Sequence, residues 1–337
     1  MATLKDVAAR AEVSVATAAR VLRRDPTLVV RPGTRSRVEA AASDLSYRPN
    51  GAARGLRTRR SGVLAVFLPD PQNIMWLEML RGVERAAADR DYLVVVADAH
   101  GPVLDKEQLG RLVLERRVDG LLVAFARLHD ELVDQIAGEG LPFVPVNSQS
   151  GTVAGSVTMD DALGSRLAVE HLVELGHRRI GYVGGRLDTD VGRRREAGYR
   201  EATGAAGLGI EERWVRAGDY TERTAEALGS ELFAGGTDSG PTAIYTVSLP
   251  TALGVLRAAR SAGVRVPDDL SVVTMDDHPL LDHLDPTLSA VRMPMAEMGA
   301  AAASMLVEAI GGTPIRHAVV DVAPVLVARS STAPPPG

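Results

Sequence analysis

Cysteine is absent from this sequence of 337 residues, which excludes disulfide bonds and metal sites built on thiolates. Long apolar runs are absent as well, and stretches such as Gly120–Ala126 are far too short to span a bilayer. The first ten residues, MATLKDVAAR, lack the apolar core and the cleavage site of a secretory signal. We therefore expect a cytoplasmic protein that does not contact a membrane.

The net charge of −5 conceals two regions of opposite sign. Residues 1–60 carry thirteen basic and five acidic side chains, a formal charge of +8, whereas the rest of the chain carries −13. A basic segment joined to an acidic body is typical of proteins that bind polyphosphate through that segment only. The distribution indicates that nucleic acid binds the N-terminal segment and is repelled by the remainder.

The basic segment has the periodicity and the caps of short helices. Thr3 and Asp6 form a capping-box pattern at the start of a first helix, and Ser14 caps a second helix that runs to Leu22. A three-residue turn separates these two helices, which is the spacing of a helix-turn-helix whose second helix enters the major groove of DNA. A third helix is predicted to end near Leu45.

The remainder of the chain alternates apolar strands with amphipathic helices. The run Val63–Phe67 is a strand of the kind that is buried on both faces, and the alternation continues to Thr274. Its two successive series predict an α/β fold of two doubly wound lobes, each a parallel sheet with helices on both faces. A helix at 297–310 and a strand at 319–326 are predicted to follow, and the proline-rich end, 331–337, is expected to be disordered.

Four motifs in the basic segment resemble the DNA-binding head of the lactose-repressor/galactose-repressor (LacI/GalR) family. They are TLKDVAARA at 3–11, VSVATAARVL at 13–22, TRSRVEAAASDLSYRPN at 34–50 and ARGL at 53–56. The acidic body is similar to the effector-binding domain of the same family, which has the fold of periplasmic sugar-binding proteins. The resemblance therefore covers nearly the whole chain.

The resemblance implies a division of the chain into a head, a hinge and a two-lobed body, and it implies that two chains pair as a homodimer. The boundaries are a helix-turn-helix domain at 1–49, a hinge helix and linker at 50–61, and an effector-binding domain at 62–330. Within that domain we expect an N-lobe of about 62–160 and 293–318 and a C-lobe of about 161–292 and 319–330.

The resemblance also implies which residues contact DNA. Val15 and Ala16 open the recognition helix, where their small apolar side chains favour a thymine methyl group, and the Arg20 guanidinium matches a base contact. Leu56 matches a hinge leucine that wedges a base step open in the minor groove. The full set is Thr3, Ser14, Val15, Ala16, Thr17 and Arg20 in the head and Asn50, Ala53, Arg54 and Leu56 in the hinge.

Effectors of such folds bind between the lobes, at the carboxyl ends of the strands. By resemblance, Arg195 is expected to bind hydroxyls or carboxylates, and the rings of Trp76 and Tyr220 are expected to stack on the ligand. The expected effector contacts are Asp70, Asn73, Met75, Trp76, Asn147, Arg195, Tyr220, Ser248, Asp276 and Met293.

Three features depart from the family pattern, and one of them is that Arg23-Arg24-Asp25-Pro26 replaces a loop that commonly contains asparagine and is slightly shorter. Glu12 occupies the turn position that glycine often fills, so this turn must accommodate a side chain. Ser248-Leu249 stand where the family has Asn-Asp, and Met293 and Met295 make the neighbouring wall apolar. A sugar or sugar derivative is the expected effector, and a non-sugar metabolite or a partner protein is the alternative.

Other classes of protein fit the sequence less well. A solute-binding protein has no use for the basic head, and no Ser-His-Asp set, P-loop or G-x-G-x-x-G pattern indicates an enzyme or a nucleotide site. The acids and histidines at 276–285 match no spacing of metal ligands. We therefore expect a transcription regulator and, because most members of the family are repressors, a repressor. We expect that it is not an enzyme and uses neither a metal nor a cofactor.

Overall fold

A computed structural model describes residues 2–22, 25, 27–47, 60–69, 73–98, 115, 117–124, 138, 140–149, 155–234 and 240–336. The chain divides into two compact units, Met1–Ser61 and Gly62–Gly337, which we call the head and the body.

The described residues of the head form three helices, α1 (Leu4–Arg10), α2 (Val15–Leu22) and α3 (Pro32–Asp44). The predicted capping box is present, since the Asp6 carboxylate accepts from the Thr3 amide at 2.7 Å and from the Thr3 hydroxyl at 2.8 Å. Small apolar side chains from all three helices, such as Val7, Ala18 and Val38, form the core. Because these side chains are small, the helices pack closely and their polar faces stay in solvent.

The turn between α1 and α2 holds Glu12 at a φ of 54°. This left-handed conformation costs a residue with a Cβ about 1 kcal/mol relative to glycine. The turn is closed by backbone hydrogen bonds, in which the amides of Glu12 and Val13 donate to Ala9 and Ala8. The sequence-based expectation that this turn accommodates a side chain is confirmed.

The first sheet of the body is parallel, and its strand order is β2-β1-β3-β4. Its strands are β1 (Val63–Leu68), β2 (Leu93–Asp98), β3 (Gly120–Val123) and β4 (Phe143–Pro145). Two long helices, α4 (Met75–Ala88) and α9 (Met295–Ile310), pack against each other beside this sheet. Glycine permits their close approach, because a Cβ on Gly82 would lie 1.8 Å from the Ala296 carbonyl oxygen.

Two short strands that the sequence did not indicate as a pair extend this sheet. They are β5 (Ser156–Thr158) and β11 (His317–Val319), which pair in parallel. Val146, directly after β4, bridges to Val157 in β5. We call the assembly of β1–β5, β11, α4 and α9 the N-lobe.

The second sheet has the order β12-β10-β9-β8-β6-β7 and is parallel except for β12. Its strands are β6 (Ile180–Gly184), β7 (Val215–Ala217), β8 (Ala243–Thr246), β9 (Ser271–Met275), β10 (Ser289–Arg292) and β12 (Val325–Val327). Its helices are α5 (Asp161–Glu174), α6 (Asp190–Ala205), α7 (Glu222–Phe233) and α8 (Leu249–Ser261). This is the C-lobe, and the chain passes between the lobes after β5, β10 and β11.

The prediction of one strand at 319–326 is wrong. The chain forms two separate strands there, β11 in the N-lobe and β12 in the C-lobe, and the residues between them cross from one lobe to the other. A segment rich in apolar residues does not reveal that its two ends pair with different sheets.

The expectation of a disordered end is also wrong for residues 331–336, which are ordered against the C-lobe. The amide of Val272 donates to the Ser331 carbonyl at 2.9 Å, and the amide of Ala333 donates to the Ser271 hydroxyl at 3.0 Å. The imidazole of His177 donates from Nε2 to the Ala333 carbonyl at 2.8 Å. These hydrogen bonds satisfy the backbone of a segment that has few apolar side chains of its own.

Candidate DNA-reading helix and effector site

Helix α2 presents the predicted DNA-contacting side chains at the surface of the head. Ser14 caps the helix, because its hydroxyl accepts from the Thr17 amide at 3.0 Å and lies 2.9 Å from the Thr17 hydroxyl. Val15 is 42% exposed, and Ala16 and Arg20 are exposed as well. The first turn of α2 is therefore accessible to the edges of bases. Thr3 is exposed at the start of α1.

Arg20 makes a side-chain network that the sequence did not indicate. Its Nε donates to Asp25 Oδ2 at 2.7 Å, and its Nη2 donates to the Thr27 hydroxyl at 3.0 Å. Hydrogen bonds from Thr27, and to a smaller extent from Arg20, lower the pKa of Asp25 to about 2. The Asp25 carboxylate is therefore ionised at every physiological pH.

Five predicted contacts lie outside the described residues. They are the four hinge residues Asn50, Ala53, Arg54 and Leu56 and the effector residue Asp70.

The predicted effector residue Arg195 lies in the C-lobe beside a second arginine, and both bind one buried carboxylate. Arg195 Nε donates to Asp161 Oδ1 at 2.8 Å, and Arg194 Nη2 donates to Asp161 Oδ2 at 2.7 Å. Asp161, the first residue of α5, has no exposed surface. Each carboxylate oxygen therefore has a charged donor, which offsets the free energy of burying the charge.

Arg195 also links this carboxylate to the loops that follow two strands. Its Nη1 donates to the Val247 carbonyl after β8 at 2.5 Å, and its Nη2 lies 4.0 Å from Asp276 Oδ1 after β9. Burial raises the pKa of Asp276 to about 6, against the opposing charge of Arg195. Burial disfavours the charge of Arg195, but Asp161 and Asp276 together hold its pKa above the ordinary value.

Arg194 joins the C-lobe to the N-lobe. Its Nη2 donates to Asn147 Oδ1 at 3.2 Å, and its Nη1 forms an ion pair with Asp190. The amide of Gln149, in the same N-lobe loop as Asn147, donates to Asp190 Oδ2 at 3.0 Å. The predicted contacts Asn147 and Arg195 thus lie near each other at the boundary of the lobes, whereas the sequence reasoning missed Arg194, Asp161 and Asp190.

Aromatic side chains pack near this polar cluster. Tyr220 has a φ of 68°, and its ring lies so close to Gly185 that a Cβ there would be 1.9 Å from Cζ. Tyr182 stacks on Tyr199 with ring centroids 4.9 Å apart, and burial raises the pKa of Tyr182 well above its ordinary value. Its buried hydroxyl has no hydrogen-bond partner among the described residues.

Two predicted effector residues use their polar atoms within their own segments. The Ser248 hydroxyl accepts from the Thr251 amide at 3.4 Å and lies 3.1 Å from the Thr251 hydroxyl, so it caps α8. Asn73 Oδ1 accepts from the Met75 amide at 3.1 Å. Trp76 is half-buried against the core of the body.

Met75 and Met293 meet in a separate cavity of about 360 Å³. Two arginines and an aspartate also line it. Arg292 lies 2.6 Å and Arg329 lies 2.8 Å from the Asp277 carboxylate. Of the predicted effector residues, Met75 and Met293 therefore line this cavity and are not among the partners of Arg195.

Comparison with known proteins follows the same division into head and body. The model for bacterial regulatory proteins of the lacI family matches residues 3–50, and that for the periplasmic binding protein-like domain matches residues 169–332. The HTH-type transcriptional regulator MalR of Streptomyces coelicolor is 36% identical over 345 residues, covering 99% of this chain and 97% of MalR. The chain belongs to the LacI family. The resemblance inferred from the head motifs is therefore confirmed.

Solved structures of LacI-family regulators share the fold of the whole chain. A complex of the transcriptional regulator CelR with cellobiose is 31% identical, has a TM-score of 0.74, and covers 98% of this chain and 100% of its own. The lac repressor dimer bound to operator and the anti-inducer ONPF is 27% identical, with a TM-score of 0.79 over 98% and 99% of the two chains. These similarities confirm the predicted fold and a DNA-binding transcription regulator.

The relatives are transcription regulators rather than enzymes. Within the part of the chain that the structure describes, no helix has the length and apolarity that crossing a bilayer requires.

Proposed function

We propose that this LacI-family regulator acts in the cytoplasm as a homodimer, and that each head reads one half of a near-palindromic operator. A neutral sugar bound between the lobes modulates its affinity for that operator. The observation that carries the proposal is the cluster in which Arg194 and Arg195 share Asp161 while Arg194 also contacts Asn147 of the N-lobe.

The charge of this cluster favours an uncharged effector. Two arginines, Arg194 and Arg195, face three carboxylates, those of Asp161, Asp190 and Asp276. A phosphorylated ligand would therefore meet an excess of negative charge, whereas a sugar hydroxyl both donates to a carboxylate and accepts from a guanidinium. The bound cellobiose of the CelR complex supports a saccharide of this kind.

Coupling to DNA requires that the effector bind two arrangements of the lobes unequally. The direct contacts of Arg194 with Asn147 and of Gln149 with Asp190 belong to one such arrangement. A saccharide that inserts there replaces these contacts with its own hydroxyls and changes the relative position of the lobes. The hinge residues transmit this change to paired heads, as the dimeric lac repressor on its operator suggests.

The first experiment selects duplexes from a random library with the full chain and then measures their binding by fluorescence anisotropy. We expect an enriched near-palindrome whose affinity changes when a neutral mono- or disaccharide from a panel is added. Matched sugar phosphates should have a smaller effect. Failure to enrich any palindrome would contradict the proposal of a near-palindromic operator. A response to sugar phosphates alone would contradict the proposal of a neutral effector.

A pair of neighbouring variants tests the location of the effector. Arg194→Gln removes the guanidinium that contacts Asn147 and Asp161, whereas Arg193→Gln changes an exposed arginine on the same helix. We expect Arg194→Gln to weaken sugar binding in calorimetry, and Arg193→Gln to bind as the wild type does. Equal affinities of the two variants would place the effector elsewhere.

A further inference from the structure

We propose that Asp25 and Thr27 are positioning residues that orient Arg20 for readout of a guanine, so that the loop after α2 takes part in sequence choice. This inference rests on the proposed function, in which Arg20 contacts a base. It goes further because it assigns a specificity role to an acidic side chain in a region that binds a polyanion.

The three side chains form a closed network. Asp25 Oδ2 accepts from Arg20 Nε at 2.7 Å, and Asp25 Oδ1 accepts from the Thr27 amide at 2.9 Å and from the Thr27 hydroxyl at 2.7 Å. The Thr27 hydroxyl in turn accepts from Arg20 Nη2 at 3.0 Å. The amide of Asp25 donates to the Arg20 carbonyl at 3.1 Å, which fixes the Asp25 backbone against the end of α2.

This network occupies one edge of the Arg20 guanidinium and leaves a second edge available to a base. A guanidinium has five N–H groups in a rigid plane. The edge formed by Nε and one Nη2 hydrogen is used by Asp25 and Thr27, while among the described residues nothing accepts from Nη1. The terminal pair of N–H groups, one on each Nη, is therefore the pair presented outward, and its geometry matches O6 and N7 of guanine.

Stability is a poor reason for this arrangement. The side chains of Arg20 and Asp25 are 44% and 26% exposed, and an ion pair this accessible to solvent contributes little to folding. An acid beside the recognition helix also weakens the attraction of the head for phosphates. Its useful effect is to restrict an otherwise mobile side chain to one orientation before DNA arrives.

The proposal predicts opposite changes in two affinities of one variant. Asp25→Asn removes a negative charge, so affinity for random duplex should rise and its dependence on salt should steepen. The same variant loses the charged acceptor for Arg20, so discrimination between the selected operator and an operator lacking the guanine should fall. A merely structural residue would weaken both kinds of binding together.

A matched control exists within the head. Asp44 forms an ion pair with Arg10 at 3.7 Å, and both side chains are more than half exposed. Asp44→Asn makes the same change of charge away from α2, so it should raise affinity for random duplex and leave discrimination unchanged. Thr27→Val is a second test, because it keeps the Asp25 carboxylate and removes the hydroxyl that bridges it to Arg20.

The experiment measures binding of the full chain to the selected operator, to operators substituted at each base pair, and to random duplex. Arg20→Ala first identifies the base pair that Arg20 reads, where we expect a loss of about 5- to 150-fold in discrimination. At that base pair Asp25→Asn should lose a measurable part of the same discrimination, and Thr27→Val should lose a smaller part. The double variant that combines Arg20→Ala with Asp25→Asn should show no further loss of discrimination relative to Arg20→Ala alone.

Two results would overturn the inference. One is wild-type discrimination by Asp25→Asn at the base pair where Arg20→Ala loses it, with thermal unfolding showing that the head is folded. The other is tighter and equally selective operator binding by Asp25→Asn, which would make Asp25 a competitor of DNA for Arg20. If Arg20→Ala itself changes discrimination at no base pair, the proposed base contact fails instead.

Discussion

One arginine ion pair of the head and one of the body differ sharply in burial. In the head, the pair of Arg10 and Asp44 is separated by 3.7 Å and its side chains are 64% and 61% exposed. In the body, Arg195 and Asp161 are 2.8 Å apart and their side chains are 6% and 0% exposed. An exposed arginine reaches phosphate with little loss of hydration, whereas a buried arginine is held in one orientation by its partners. The exposed pair therefore suits attraction to a polyanion, and the buried pair suits the oriented contact with a small ligand that we propose for the body.

The sign of the charge supports the same contrast. The head carries a formal charge of +8 over residues 1–60, and the remainder carries −13. The acidic body is expected to add no net attraction for DNA, and its arginines Arg194 and Arg195 form ion pairs within the protein. The contrast therefore predicts large stability effects in the body and large binding effects in the head.

The largest effect on stability is expected from Arg195→Met. The variant leaves Asp161 with one charged donor and places Asp276 near it without the intervening cation, so the body should lose about 3–5 kcal/mol of unfolding free energy. Urea denaturation followed by circular dichroism measures the loss. The control is Arg265→Met, whose ion pair with Asp269 involves an arginine side chain 68% exposed, and it should change the unfolding free energy little. Equal losses in the two variants would contradict the distinction between buried and exposed pairs.

A smaller effect is expected where the end of the chain docks on the C-lobe. His177→Ala removes the imidazole that contacts Thr242, Ser271 and Ala333, and it should cost about 1–3 kcal/mol because buried polar groups lose their partners. His283→Ala, an exposed histidine, is the control and should change the unfolding free energy little.

Acid should reduce this contribution of His177. Burial lowers the pKa of His177 below its ordinary value of 6.5, although a hydrogen bond to Ala333 opposes the shift. The unfolded chain therefore binds the proton more readily, and stability falls as the pH drops below about 6.5. Thermal melts of wild type and His177→Ala should converge toward low pH. A difference that stays constant from pH 8 to pH 5 would show that this imidazole does not sense acid.

The smallest effect is expected on effector binding as the pH changes. Asp276 has a pKa of about 6 because it is buried, so its carboxyl gains a proton as the pH falls through that value. A neutral carboxyl accepts hydrogen bonds from sugar hydroxyls less strongly, and affinity measured by calorimetry should fall several-fold between pH 7 and pH 5. Asp276→Asn should remove this dependence. A pH profile shared by wild type and variant would assign it to another group.

The same shift has a consequence of opposite sign for folding. Because the folded-state pKa of Asp276 lies above the unfolded value of 3.8, the native body binds this proton more readily. The contribution of Asp276 to stability is therefore greatest below pH 3.8 and is lost as the pH rises through about 6.

Local patterns in the sequence predicted most of the fold. The capping box of Thr3 and Asp6, a turn that accommodates Glu12 and a strand at 63–67 depend on neighbouring residues, and the structure contains each of them. Strict alternation of strands and helices was enough to predict two parallel sheets. The strand at 319–326 and the disordered end were wrong because pairing with a distant strand decides those segments.

The sites were less predictable because their partners are distant or lie in loops. Arg195 was found through its family motif, but Asp161 lies 34 residues away and follows a strand too short to recognise. Asp25 is only five residues from Arg20, yet the sequence between them has no periodic pattern that would indicate a contact between the two side chains. Sequence therefore indicates which elements carry a site more readily than which side chains complete it.

One measurement tests the central claim that DNA is bound by the head alone. It compares binding of the selected operator to the whole chain and to the body beginning at Gly62, the first residue of the second compact unit, over a range of salt concentrations. The account predicts that the whole chain binds with an affinity that falls steeply as salt rises, and that the folded body does not bind. A body that bound the same operator as tightly as the whole chain would contradict it.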